Sequence, residues 1–322
     1  MKNIPFFNYP ALFEQRKNEY LDIVQDVLSR GAYIMQQDLI DFENDLAKYL
    51  GVKHAIGVAD GTMALLTSLM AAGIGRGDEV IIPSHTFIAS AAAIHHSGAK
   101  PILADCQEDH LIDPNSIVKL ITSKTKAIMP VQLNGRVANM DAINKIATKH
   151  DLIIIEDSCQ ALGAKYKNQF AGTFGLTGTF SFFPAKTLGC FGDGGAVVTN
   201  SDKVAEKIRI IRDHGRDPVD GKVKIFGFNS RLDNLQAAVL GLKLRYYDED
   251  VVRRRQIATL YHLHLCAIEQ ILLPPAPDSE VDHFDVFQNY EIEAQDRDES
   301  VSYTHLRAHE TPEHLVCRLL LE

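Results

Sequence analysis

Apolar residues in the first fifty positions recur at helical spacing. Phe13, Leu21, Val24, Val27 and Leu28 predict a helix over 12–30, stopped by Gly31. Leu39, Phe42, Leu46 and Leu50 predict a second over 39–50, stopped by Gly51. From residue 55 short apolar runs alternate with helical segments. Strands are predicted at 55–58, 80–82, 102–104, 127–131 and 152–155, and helices at 62–72, 87–96, from Pro114, and at 140–149. Strands separated by helices need crossover connections, which gives an α/β fold with a mostly parallel sheet covered on both faces. The unbroken run Leu152-Ile153-Ile154-Ile155 suits a central strand of such a sheet.

After Gly163 the texture shifts to short strands with turns at Gly172, Gly175, Gly178, Gly189, Gly192, Gly194 and Gly195. Helices return at 203–212 and from Leu232. Residues 1–243 are expected to form one large domain carrying the N-terminal helices, and 244–300 to begin a smaller, incomplete α+β domain, with Pro274-Pro275-Ala276-Pro277 as a rigid loop inside it. Residues 301–322 continue no earlier pattern and are set apart as a non-native-looking tail.

Composition narrows the function classes. The chain has 322 residues and is 46% hydrophobic, enough for a large core and part of a second. Its formal net charge of −9 argues against nucleic acid as a partner. The run Arg253-Arg254-Arg255, flanked by Asp248, Glu249 and Asp250, reads as a solvated helix face. No apolar run suggests a signal peptide or a membrane span. Five scattered cysteines suggest reduced thiols and a cytoplasmic protein. The spacings of His95-His96 and of His262 and His264 do not stack ligands on one helix face, so no metal is expected.

Three segments carry candidate chemistry. Gly73-Ile74-Gly75-Arg76-Gly77 is not among them, because it precedes a strand, whereas a dinucleotide fingerprint follows one. Asp60-Gly61-Thr62 follows a strand and opens a helix, where free N–H groups attract an anion; taken alone it reads equally as an ordinary helix cap. Glu156-Asp157-Ser158-Cys159-Gln160 follows the buried strand, at the end where parallel sheets bind ligands. A carboxylate there needs a cationic or hydrogen-bonding partner: a structural arginine, a turn that it caps, or a protonated pyridine nitrogen. Lys186 lies in Phe180-Ser181-Phe182-Phe183-Pro184-Ala185-Lys186-Thr187-Leu188-Gly189, an apolar, glycine-backed loop ill suited to a mere surface charge. Lysine amines form Schiff bases with aldehyde cofactors, although a loop lysine by itself is more often solvated.

Together, DGT, PSHTF, EDSCQ, FSFFPAKTLG, GDGGAVVTN and NSRLDNLQAAVL resemble, in order and spacing, the DegT/DnrJ/StrS-type sugar aminotransferases, which have fold type I and depend on pyridoxal 5′-phosphate. The likeness runs from Ile4 to about Asp298. It implies that Lys186 carries the cofactor, that Asp157 pairs with the ring nitrogen and that Gln160 lies near the ring hydroxyl. It places Phe87 on the ring face and gives the phosphate to Gly61, Thr62 and Ser181, with Asn229 reaching the phosphate of a partner subunit. That last role implies a homodimer with shared active sites.

The implied reaction moves an amino group from L-glutamate to the keto group of a nucleotide-linked sugar. His85, His214 and Arg231 are candidate substrate residues, and the loops at 134–136 and 214–216 would shape the same pocket. Two alternatives remain open at this point. One is a pyridoxamine-phosphate-dependent sugar dehydratase of the same fold, in which a histidine typically replaces the lysine. The other is a cofactor-binding chain without turnover. The chain departs from the family pattern in Asp60, where Asn is commoner, in His85, where Phe is commoner, and in a C-terminal domain shorter than the family's. An Asp60 side chain turned into the site would repel the phosphate; one capping its own helix would not.

Overall fold

The computed structural model describes residues 7–298; the tail expected at 301–322 lies outside them. The chain opens with α1 (Tyr9–Glu14), α2 (Lys17–Arg30) and α3 (Gln37–Leu50). The single helix expected over 12–30 is thus two. Arg16 breaks it with φ −135° and ψ 29°, and its guanidinium lies 3.2 Å from the centre of the Tyr246 ring. A tertiary cation–π contact overrides the local periodicity there. Gly31 and Gly51 end their helices in the left-handed conformation, at φ 61° and 68°.

The centre of the molecule is a seven-stranded sheet. Its strands are β1 (His54–Val58), β2 (Glu79–Pro83), β3 (Lys100–Ala104), β4 (Thr125–Ile128), β5 (Ile153–Asp157), β8 (Thr177–Ser181) and β9 (Gly195–Thr199), in the order β1-β9-β8-β5-β4-β2-β3. Two-residue strands β6 (Lys165–Tyr166) and β7 (Gln169–Phe170) form a small separate ladder. β9 runs antiparallel to both neighbours, and the other pairs are parallel. β4 stops three residues short of the expected 131, although Met129 N–H still bonds to Ile81 and Val131 bridges Asp157. Glu156 and Asp157 close β5 rather than follow it.

Alternation along the strands supplies two cores. Ile81 and Ile154 face one with Phe42, Ile143, Phe180, Leu240 and Tyr247. Ile82 and Ile155 face the other, beneath α4 (Gly61–Ala72) and α5 (Ile88–His96). Crossovers α6 (Pro114–Leu120) and α7 (Met140–His150), with α8 (Asp202–Arg212) after β9, complete the covering layers.

Beyond α9 (Asn234–Leu244) comes the long α10 (Tyr247–Leu265), then β10 (Ile271–Leu272), β11 (His283–Phe284) and β12 (Glu293–Ala294). β10 pairs with β12, while β11 adds to the β6–β7 ladder. The arginine run in α10 is not the solvated face expected of it. Arg255 is buried, lies 4.1 Å over the Phe284 ring and donates to the Asp285 carbonyl at 2.7 Å. Arg254 reaches the Phe287 carbonyl at 3.1 Å. Only Arg253 of the three is exposed. The segment between β11 and β12 carries carbonyls that need donors, and two of the arginines supply them.

Candidate active site

The site is built where β1, β5 and β8 end. Asp60 caps α4, its Oδ1 accepting from the Met63 N–H at 2.8 Å, so the carboxylate serves its own helix. The first N–H groups of α4 close no bond within the helix. Gly61 lets other strands approach them. A Cβ at Gly61 would stand 2.8 Å from Ser181 Cβ and 3.0 Å from Cys159 Sγ. The mouth of α4, the last residue of β8 and the turn after β5 therefore form one cradle.

Asp157 forms the floor beside it. The residue is only 6% exposed. Its Oδ2 accepts from Ser90 Oγ at 2.7 Å and its Oδ1 from the Cys159 N–H at 3.2 Å. Thr86 Oγ1 lies 2.8 Å from the same Ser90 hydroxyl. Among the described residues no cation lies within ion-pair distance of this carboxylate, which retains acceptor capacity for a further donor. Glu156, on the opposite face of β5, has a structural task. It accepts from Gln132 Nε2 and from the N–H groups of Gly172, Phe174 and Gly175, while burial pushes its carboxyl up against the pull of these donors.

Lys186 stands in the tight turn between β8 and β9. Its N–H donates to the Phe183 carbonyl at 2.8 Å. Gln288 Oε1 accepts from the Thr187 N–H at 2.9 Å, and Gln288 Nε2 donates to the Ala185 carbonyl at 2.8 Å. The Tyr247 hydroxyl lies 2.7 Å from Thr187 Oγ1 and 2.7 Å from the Leu162 carbonyl. Burial and the Asp157 charge push the Cys159 thiol well above its ordinary value, while the Lys186 ammonium pulls it down. Asp157, Cys159 and Lys186 thus share one electrostatic environment.

Gln160 follows Asp157 by three residues, its Oε1 accepting from the Asn134 N–H at 2.7 Å, which leaves the NH2 end for another acceptor. Phe87 precedes α5 one helical turn before Ser90 and is 70% exposed, an uncovered aromatic.

Other candidates make different bonds. Asn229 is exposed and bridges Asp213, and Arg231 bridges Val58 and pairs with Asp213 at 2.9 Å. His214 adopts φ 58° and donates its N–H to Phe228. Among the described residues none of these three bonds to Gly61, Asp157 or Lys186. The His85 ring meets His110 edge-on at 5.2 Å, turned toward residues near β12. Sequence reasoning did not single out Ser90, Tyr247 or Gln288. Ser90 had a usable signal, one turn after Phe87 on the same helix face; the other two had none.

The model of the DegT/DnrJ/EryC1/StrS aminotransferase family matches residues 14–317. The chain belongs to this family. A dTDP-3-amino-3,4,6-trideoxy-alpha-D-glucose transaminase of Streptomyces venezuelae is 40% identical over 314 residues, which is 97% of this chain and 81% of the relative. Among solved structures, S. venezuelae DesV in complex with a ketimine intermediate superposes with a TM-score of 0.91 at 38% identity, covering 98% of this aminotransferase and 87% of that chain. NtdA from Bacillus subtilis with bound cofactor PMP gives 0.87 at 30% identity, over 98% and 76%. The mostly parallel sheet of this DegT-family aminotransferase, with helices on both faces, is the fold-type I architecture of those neighbours.

Proposed function

We propose that this aminotransferase moves an amino group from L-glutamate to the keto group of a nucleotide-linked sugar, with pyridoxal 5′-phosphate as the carrier. The observation that carries the reading is the buried Asp157 carboxylate, fixed by Ser90 and the Cys159 N–H yet without an ion-pair partner among the described residues. A buried carboxylate is stabilised by a positive donor, and a protonated pyridine nitrogen is one. The glycine-floored mouth of α4 suits the phosphate of the same molecule.

In this reading the N–H groups of Gly61 and Thr62 and the Ser181 hydroxyl hold the phosphate. Asp157 keeps the proton on the ring nitrogen, Gln160 donates to the ring oxygen, and Phe87 covers one ring face. When bound, the cofactor supplies an aldehyde for the amino group and a ring that accepts the electron pair left at the donor Cα. The freed Lys186 amine takes the proton from that Cα as general base and, within the same half of the cycle, passes it as general acid to the cofactor's former aldehyde carbon; the return half runs the transfer in reverse.

The chain is read as a homodimer in which Asn229 serves the partner's phosphate site. The loop carrying Asn229 presents Phe226 at 98% exposure and Val219 at 92%, apolar surface suited to a second subunit. No helix among the described residues is long and apolar enough to cross a membrane. Scattered free thiols among the described residues support a cytoplasmic location.

Two measurements test the proposal. The purified protein is expected to show a visible absorption band that Lys186→Ala abolishes; an unchanged spectrum would sink the cofactor assignment. A panel of nucleotide keto sugars with L-glutamate, scored by product mass, tests the substrate class.

A further inference from the structure

The Ala185 carbonyl and the Thr187 N–H, one on each side of Lys186, are both held from the far end of the described chain. Gln288 is buried, and its one amide spans the lysine, accepting from the Thr187 N–H and donating to the Ala185 carbonyl. A buried primary amide is a costly way to fill space, because an apolar side chain of the same volume loses no water-bonded groups. Both ends of this amide are used on the peptide groups that set the direction of the Lys186 Cα–Cβ bond.

Gln288 is itself fixed. Its N–H donates to the Asn134 carbonyl at 2.9 Å, and the Val286 N–H donates to Gly135 at 3.0 Å. Arg254 Nη1 lies 3.4 Å from the Gln288 carbonyl. Asn134 in turn holds Gln160 through its own N–H. One strip of backbone, 286–288, therefore touches the residue behind Gln160 on one side and the Lys186 turn on the other.

We propose that Gln288 is a positioning residue for Lys186. It sets the angle at which the amine enters the site and, through Asn134, keeps that angle in register with Gln160. The proposal rests on Lys186 being the cofactor-bearing lysine. Position matters because proton transfer weakens steeply when donor and acceptor are misaligned.

The test uses Gln288→Met, which keeps length and volume and removes both bonds, and Gln288→Glu. The latter keeps the acceptor for Thr187 but recovers a donor to Ala185 only when protonated. In cofactor-free protein, hydrogen exchange at the Thr187 amide is expected to quicken about tenfold or more in the Met variant, since its bond is gone. In cofactor-loaded protein the pH midpoint of the visible band is expected to shift. The maximal rate of the glutamate half-reaction should fall about tenfold, with half-saturating glutamate within about twofold. Gln288→Glu should recover as pH is lowered, and it carries the test should the Met variant not fold. A Met variant with wild-type midpoint and rate overturns the proposal, as does one changed only in melting temperature. A wild-type protein without a visible band overturns the cofactor reading, while exchange at Thr187 still decides whether the clamp exists.

Discussion

The Ser90 hydroxyl donates to Asp157 Oδ2 at 2.7 Å across 67 positions of sequence, so a helix on one face of the sheet aims the carboxylate at the end of its central strand. Removing that bond in Ser90→Ala is expected to weaken cofactor binding about fivefold, the worth of one hydrogen bond near 1 kcal/mol. Asp157→Asn removes the charge itself and should slow the glutamate half-reaction by about a hundredfold, a loss within the 2–5 kcal/mol range for a buried charge partner. Stopped-flow absorbance measures both. An Asp157→Asn protein reacting at the wild-type rate contradicts the assignment.

Gly61→Ala should cost about 1–3 kcal/mol of stability through overpacking against Ser181 and Cys159. It should also raise the dissociation constant for the cofactor, because the added methyl pushes β8 away from the mouth of α4. Gly241→Ala is the matched control: nothing lies within 4 Å of its Cβ position inside α9, so it should stabilise by about 1 kcal/mol. Urea denaturation with and without cofactor separates the two effects.

Asp38 ties α3 to its neighbours. It accepts from Asn234 Nδ2 at 2.6 Å and from Arg30 Nη2 at 3.0 Å. Burial acts to raise its pKa, but the bonds from Asn234 and Arg30 outweigh it and hold the carboxyl below its ordinary 3.8. A depressed folded value means that the native state binds fewer protons than the unfolded chain, so stability rises with pH across this window. The contribution, about 0.5–1 kcal/mol for a partly exposed pair, is present above 3.8 and lost as pH falls through the lower folded value. Unfolding of Asp38→Asn against wild type should differ at pH 7 and converge at low pH; a constant difference would count against the linkage.

Arg136 carries the ion pairs that dock the C-terminal segment. It donates to Asp285 at 2.7 Å and pairs with Glu280. Burial pushes the Asp285 carboxyl up, and Arg136 opposes that rise. Arg136→Met leaves Asp285 buried without its partner, which should cost about 3–5 kcal/mol. Proteolysis near residues 278–288 should quicken, and a second change, Asp285→Leu, should restore much of the loss. A single-mutant cost under about 1 kcal/mol would show the pair to be incidental.

The sequence and the structure agree wherever chemistry is carried by local order. Gly61 and Asp157 sit at element ends that hydrophobic rhythm alone locates to within a residue or two, whereas Ser181 and Gln160 are marked only by the resemblance. What was illegible depends on distance. Ser90 and Gln288 are common polar residues whose partners lie 67 and about 100 positions away; Ser90 has a local mark only in its place one turn after Phe87, and Gln288 has none. The break at Arg16 and the burial of Arg255 share a cause: each guanidinium lies over a ring supplied by a remote segment, Tyr246 and Phe284. Charge patterning reads such residues as solvated because it sees only their neighbours in sequence.

The order of strands in the sheet also governs when the site can exist. β1 ends at the mouth of α4 early in synthesis, yet its neighbour in the sheet is β9, and the wall facing Gly61 is the end of β8. A chain emerging from the ribosome therefore carries an unfinished anion cradle until β8 and β9 have been made and have slipped between β1 and β5. Pairing of such sequence-distant strands is slow relative to local helix formation. Ligand present during synthesis would leave the early helices unaffected and favour only the closing insertion, so its benefit to yield should appear late on the ribosome or after release.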